Sequence, residues 1–232
     1  MTTELQVFDC EQGSAEWYAA RMTLPTASMF HAVMAKGKSG GESVTRRKYL
    51  LQLAGEILTG EPAETYTNAH MERGKVMEDE ARRLYAFVHD DAELQRVGFI
   101  KNGNTGCSPD SLVGDDGMLE IKTALPHVLL DLIDRDQFPP EHKAQSQGGL
   151  WVAKRQWVDL AIYSPGLPLF EKRAERDENY ISQIEAAVSE FNDELQRLVA
   201  RIRRYGEASA TPAASQFIPP EPRNGTADTG PF

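Results

Sequence analysis

Residues 108–122 constrain the fold more than any other stretch. Ser111-Leu112-Val113 and Met118-Leu119-Glu120-Ile121 are short runs of strand formers, and Gly114-Asp115-Asp116-Gly117 between them has the chemistry of a turn, so a β-hairpin is predicted. Residues two apart on a strand share a face, which sends Glu120 and Lys122 one way and Leu119 and Ile121 into a core. Pro109-Asp110 directly precedes the first strand, so the hairpin brings the Asp110 carboxylate back beside Glu120 and the Lys122 ammonium. Hard carboxylate oxygens suit Mg²⁺ or Mn²⁺, which polarises a phosphate and lowers the pKa of a bound water. An adjacent ammonium orients that water or stabilises the charge that develops. The cluster therefore fits phosphodiester hydrolysis. Taken alone, Glu-x-Lys is more often an exposed ion pair of small energetic value.

A chain of 232 residues holds one substantial domain with a sizeable core. No apolar run approaches a membrane span, and the first ten residues have neither a basic nor an apolar leader region, so a cytosolic protein without a membrane partner is expected. Cys10 and Cys107 lie far apart with no metal-ligand spacing, so neither a zinc site nor a disulfide framework is indicated; Cys107 is expected to be a small buried side chain. A net charge of −10 argues against a polyanionic partner, but the charge is uneven. Between Arg21 and Lys48 lie Lys36, Lys38, Arg46 and Arg47 against the single acid Glu42. Such a stripe is either a phosphate-contacting surface, with Arg46 a candidate, or a solvated loop.

Helices are predicted from Ser14 as cap, from Thr26-Ala27-Ser28, over 46–59 with Leu58 on its apolar face, over 71–89 with Val76, Ala81, Tyr85 and Val88 in register, over 140–154 and over 178–205. Strands are predicted at 94–100 and 157–163, and the Gly/Ser-rich basic segment 35–43 is expected to be a mobile loop. From Gly206 the chain is rich in Ala, Pro, Gly and Thr, so the expected organisation is one domain over 1–205 and a disordered tail over 206–232.

Several marks occur in order: Trp17-Tyr-Ala-Ala-Arg21, Thr26-Ala27-Ser28, Gly74-Lys75-Val-Met-Glu78-Asp-Glu-Ala81-Arg82, Cys107-Ser-Pro-Asp110, Leu119-Glu-Ile-Lys122 and Gln145-Ser146-Gln147. Together, over roughly residues 10–200, the chain resembles the phage lambda exonuclease and YqaJ-type viral recombinase family of the PD-(D/E)xK nuclease superfamily. The resemblance implies an α/β fold with a central mixed sheet flanked by helices, a restriction-endonuclease-like core. It also implies a Mg²⁺-dependent enzyme, with Mn²⁺ as substitute, degrading linear double-stranded DNA from 5′ ends to mononucleotides and leaving a 3′ overhang. Asp110, Glu120 and the Ile121 carbonyl would be metal ligands. Glu78 would support a second ion or its waters, Lys122 would assist the attacking water, and Gln145 would lie near it. Arg21, Ser28 and Ser108 match residues that bind a 5′-phosphate, and Met71 stands where a strand-separating wedge is found, although it is equally a candidate core residue. His142 replaces an aromatic hydroxyl. A ring-shaped homotrimer, a single-strand annealing partner and a bacterial or phage-infected cytosol are further implications. The alternatives are an endonuclease of the restriction or Holliday-junction type, and a binding module that has lost catalysis.

Overall fold

The structure, a computed structural model, describes the backbone of residues 5–37, 41, 43–63, 69–90 and 92–210, and the side chains of these except 69–75 and 206–210. The 108–122 hairpin forms as its turn chemistry requires. Strand β5 (Ser111–Val113) pairs antiparallel with β6 (Gly117–Thr123), Ser111 opposite Leu119. Strand β6 then pairs in parallel with β7 (Trp157–Tyr163), and β8 (Phe170–Glu175) returns antiparallel beside it. With β2 (Leu94–Gln95) at the far edge, the five-stranded sheet runs β2-β5-β6-β7-β8 and is mixed, as expected. A parallel pair needs a crossover. Here it consists of α5 (Pro126–Arg135), a 3-10 turn over Pro140–His142, and α6 (Lys143–Ala153).

The predicted strand 94–100 is divided. Its first part is β2, and its second is β3 (Phe99–Asn102), which belongs to a separate antiparallel sheet β1-β3-β4 with β1 (Leu5–Phe8) and β4 (Thr105–Cys107). Val97-Gly98 separates the two, and Gly98 runs so close to Cys10 that a Cβ there would lie 2.2 Å from the Cys10 carbonyl oxygen.

The large sheet is covered on both faces. Helix α4 (Ala69–Val88) lays Ala81 and Tyr85 over Leu119, Ile121 and Ala161. Against the other face, Met118 and Val158 meet Ile184, Val188 and Phe191 of α7 (Glu178–Ala210), while Leu160 and Ile162 meet Leu129 of α5. Full burial of such side chains is worth about 1.5–3 kcal/mol each, so the stripe of α7 is a principal support of the sheet. Val76 and Val88, predicted on the inner stripe of α4, are instead exposed, as is Leu58 of α3 (Val44–Thr59). Only the middle of α4 lies on the sheet, and Leu58 sits in the last turn of α3, beside the left-handed Gly60 that ends it.

Helix α1 (Ala15–Arg21) starts where Ser14 accepts the Trp17 N–H at 3.2 Å. A 3-10 turn over Ala27–Met29 and the short α2 (Phe30–Val33) follow. Gly148 of α6 lets this turn approach, since a Cβ there would meet the fully buried Phe30 ring at 2.3 Å.

Contacts divide the chain into a compact unit Met1–Val199 and a second unit from Ala200. Helix α7 runs past the predicted end at Tyr205 to Ala210, because one Gly in a helix costs only about 1 kcal/mol and Glu-Ala-Ser-Ala behind it are compatible with helix. The expected tail beyond, and residues 38–40 and 42 of the basic segment, lie outside the described residues. Among the described residues no helix is long and apolar enough to cross a membrane.

Candidate active site

Beyond Leu119, β6 has no β5 residue opposite it, so the Ile121 N–H is free on that side. Asp110, placed at the start of β5, supplies the partner: its Oδ2 accepts the Ile121 N–H at 2.6 Å. One carboxylate is thereby fixed against the strand that carries the next. Glu120 is buried, at 6% exposure, and Lys122 reaches back to its Oε1 at 2.6 Å. The pair is therefore not the exposed surface pair that Glu-x-Lys alone suggests. Gln145, in the first turn of α6, donates its amide to the same Oε1. Glu78 comes from α4 across the mouth of the site.

These side chains line one cleft of about 260 Å³, together with Ile121, Arg21, Ser28 and Ser108. A neighbouring cleft of about 350 Å³ shares Gln12, Glu78 and Asp110 with it. Sequence reasoning thus named residues from six separate segments that fold to one place. Arg46 is the exception, since its guanidinium pairs with Glu194 of α7 and lies 5.3 Å from the Phe191 ring centre, away from the cleft. The side chain of Met71 lies outside those described.

Electrostatics make the cluster unusual. Burial raises the pKa of Asp110, and the neighbouring Glu120 raises it further. Glu78 is also raised, by burial first, with Lys122 and Arg82 opposing and Glu120 adding. Burial alone would lower Lys122, but Glu120 and Asp110 outweigh it and raise the ammonium's pKa on balance. Three carboxylates thus share a partly dry cleft with one close ammonium, and a divalent cation among their oxygens satisfies this arrangement. The donor set is all hard oxygen, from two or three carboxylates and a strand carbonyl, which fits Mg²⁺ or Mn²⁺ and not a soft ion.

The opposite wall is cationic. Arg21, last residue of α1, stacks with its guanidinium 4.2 Å from the Trp17 ring centre, and burial pulls its pKa down. Among the described residues no carboxylate lies within ion-pair distance of it. Trp17 Nε1 donates to Ser108 Oγ at 2.9 Å and to the Gly98 carbonyl at 3.1 Å, which orients Arg21 and Ser108 together. Ser28 is exposed on the 3-10 turn, with its Oγ 3.3 Å from that of Thr26.

Two contributors were not given roles from sequence. Arg82 ties α4 to the hairpin, donating to Asp79 at 2.7 Å, to Ser111 Oγ at 3.2 Å and to the Asp110 carbonyl at 3.2 Å. Its place four residues after Glu78, on the same helix face, was the available signal. Gln12 donates to the carbonyls of Val97 and Pro109, and nothing in the sequence marks it.

A second group of potential ligands, His89, Asp159 and Glu171, brings its atoms within 4.8 Å of one another. Asp159 is fully buried, but both its oxygens are engaged at 2.7 Å by Arg173, and Tyr85 donates to one of them. His89 lies 2.9 Å from both Glu171 oxygens. The group is a polar network in which Arg173, Tyr85 and His89 contact both carboxylates.

A family model of the YqaJ-like viral recombinase domain matches residues 16–156. Among solved structures, an alkaline exonuclease (LHK-Exo) from Laribacter hongkongensis is 33% identical, with 85% of this chain and 100% of that one covered and a TM-score of 0.76. The same exonuclease in complex with dAMP superposes with a TM-score of 0.77 at 33% identity and the same coverage. A phage related exonuclease from Haemophilus somnus 129PT, at 15% identity over 80% of this chain and 99% of that one, has a TM-score of 0.60 and shares the fold. No curated protein matches.

Proposed function

The chain belongs to the YqaJ-like viral recombinase family, and on that premise we propose that it is a Mg²⁺-dependent 5′→3′ exonuclease. It digests linear double-stranded DNA to mononucleotides and leaves a 3′ single-stranded overhang for recombination. Membership makes it a nuclease acting on DNA. The observation that carries the finer reading is that the carboxylate–ammonium cluster and the cationic, hydroxyl-lined wall of Arg21, Ser28 and Ser108 face each other in one cleft. That a relative was solved with dAMP, a mononucleotide, supports the product class.

Asp110, Glu120 and the Ile121 carbonyl would hold Mg²⁺, or Mn²⁺ in its place, with Glu78 supporting a second ion or its waters, and the metal supplies a polarised phosphate and a water of lowered pKa. The Lys122 ammonium lies beside the charge that develops on the scissile phosphate. Gln145, anchored on Glu120, presents its amide to the attacking water. Attack on phosphorus breaks the bond to the 3′-oxygen of the terminal nucleotide. The released mononucleotide keeps its 5′-phosphate, and the shortened strand begins with a new one. Arg21 offers a two-pronged donor to that terminal phosphate and the two hydroxyls add to it, in charge-assisted bonds worth about 1.5–3 kcal/mol each. An enzyme that cuts interior bonds gains nothing from such a pocket. A homotrimer around the DNA and a single-strand annealing partner complete the proposal, on the family resemblance alone.

The test uses end-labelled linear duplex, with 5′-phosphate or 5′-hydroxyl ends, beside closed circular duplex. The expected result is mononucleotide release from linear 5′ ends, faster and more processive with phosphate, and intact circles; Arg21→Ala removes the phosphate preference. Opened circles would instead make this an endonuclease, and an absence of cleavage a binding module.

A further inference from the structure

We infer that Glu56 is a positioning residue for the terminal-phosphate pocket, because it locks the strained turn at Thr23 that sets Arg21 relative to Ser28. The inference rests on the pocket reading above.

Arg21 ends α1 and Ser28 sits on the 3-10 turn, so their spacing is decided by residues 22–26. The Leu24 N–H returns to the Arg21 carbonyl at 3.3 Å, Met22 has φ −53° and ψ 142°, and Thr23 has φ 68°. This is a type II turn, whose third position calls for glycine. A β-branched residue at positive φ is a genuine outlier. Among the described residues the other non-glycine positions with positive φ, Asp136 and Lys154, terminate α5 and α6. Thr23 ends no helix by itself, and it lies between the two halves of a binding pocket. Strain of this kind persists only where the surroundings impose it.

The imposing group is Glu56 of α3. Its carboxylate, 8% exposed, accepts the Thr23 N–H at 2.7 Å, and its other oxygen accepts the Ala63 N–H at 3.3 Å. Tyr49, two turns earlier on α3, accepts the Thr26 N–H at 3.2 Å and donates to the Leu24 carbonyl at 3.4 Å. From the opposite side β4 holds the Pro25 carbonyl, through Thr105 Oγ1 at 2.7 Å and the Gly106 N–H at 3.2 Å. Leu24 to Thr26 are therefore gripped from two sides, whereas among the described residues the Thr23 N–H has Glu56 alone. Loss of that bond lets Thr23 relax and carries Arg21 away from Ser28. Asp110, Glu120 and Lys122 stand on other segments and keep their geometry.

The experiment compares 5′-phosphorylated with 5′-hydroxyl linear duplex under Mg²⁺, using the full chain. Glu56→Ala is expected to reduce the phosphate preference by about tenfold, equivalent to about 1.4 kcal/mol. The loss appears as a raised KM on phosphorylated ends, with the rate on hydroxyl ends kept. Glu56→Gln retains one carbonyl acceptor and falls between. Adding Thr23→Gly to Glu56→Ala recovers part of the preference, because glycine takes positive φ freely. A wild-type preference ratio in Glu56→Ala, or an equal fall on both substrates, overturns the positioning role. If Glu56→Ala does not fold, an unchanged ratio in Glu56→Gln overturns it. A wild-type protein with no phosphate preference removes the pocket itself, and the inference with it.

Discussion

Replacing Asp110 by Asn should stabilise the metal-free protein while abolishing its chemistry. The amide is nearly isosteric, and its Oδ1 can keep the Ile121 N–H bond now made at 2.6 Å. What disappears is a charge that burial and Glu120 already disfavour. Unit charges about 6 Å apart at an effective dielectric of about 20 interact by about 3 kcal/mol. Asp110 faces two carboxylates, Glu120 and Glu78, against the Lys122 ammonium, so one repulsion is left uncompensated. After relaxation and solvent screening, a gain of about 2 kcal/mol is reasonable, which for a domain of this size raises Tm by about 4–8 °C. Metal reverses the order. At about 100 times its dissociation constant, Mg²⁺ stabilises the wild type by about 2.7 kcal/mol, and the variant has lost a ligand for it. The assay is thermal unfolding in chelator and in Mg²⁺, run beside hydrolysis of end-labelled duplex. The variant should melt higher than wild type in chelator, gain little from Mg²⁺, and cleave less than a tenth as fast, a barrier change above about 1.4 kcal/mol. A variant that melts lower in chelator, or gains as much from Mg²⁺ as wild type, would refute the assignment of Asp110 as a strained, metal-ready ligand.

Arg82→Ala should raise the Mg²⁺ concentration needed for half-maximal hydrolysis by about tenfold, the range typical of residues that orient ligands, because Arg82 fixes the Asp110 carbonyl to the helix bearing Glu78; a metal titration of activity checks it, and an unchanged requirement contradicts it. Gly148→Ala should cost about 1–3 kcal/mol, since its Cβ would meet the buried Phe30 ring at 2.3 Å, read as a fall in the denaturant midpoint. Asp177 accepts the Tyr180 N–H at 3.0 Å and pairs with Lys143 at 3.1 Å, and these bonds, the backbone one first, hold its pKa below the usual carboxylate range. A depressed carboxylate stabilises the fold above its unfolded pKa, about 3.9, and that stability is lost as pH falls through the folded value. The stability advantage of wild type over Asp177→Asn should therefore hold at neutral pH and vanish in acid, as measured by denaturation across pH.

What the sequence revealed and what it concealed follow from how far apart the determining contacts lie. The hairpin was legible because its turn, its alternation and its three chemical residues sit within fifteen positions, and local rules govern all of them. The cores of α3 and α7 were legible from period alone, as Leu50, Leu53, Ile184 and Phe191 show. Helix α5 was not. Leu125 at its N-cap and its exposed Val128 and Leu130 blur the polar face against which a helical stripe is recognised, so Leu129 does not stand out although it is fully buried. Strand β8, with its polar Glu171, Lys172 and Arg173, was hidden for a related reason: it is an edge strand, and Arg173 acquires its meaning only from Asp159 across the pair. Arg46 shows the same limit in the site. A basic run beside a Gly/Ser-rich segment suggests phosphate contact, but the partner that decides the matter, Glu194, lies 148 residues away on a helix whose other face was already accounted for. Spacing therefore brings out the candidate groups of the cleft, and one helical turn marks Arg82 beside Glu78, whereas Glu56 and Gln12, which bond backbone groups of other segments, are visible only once those segments meet.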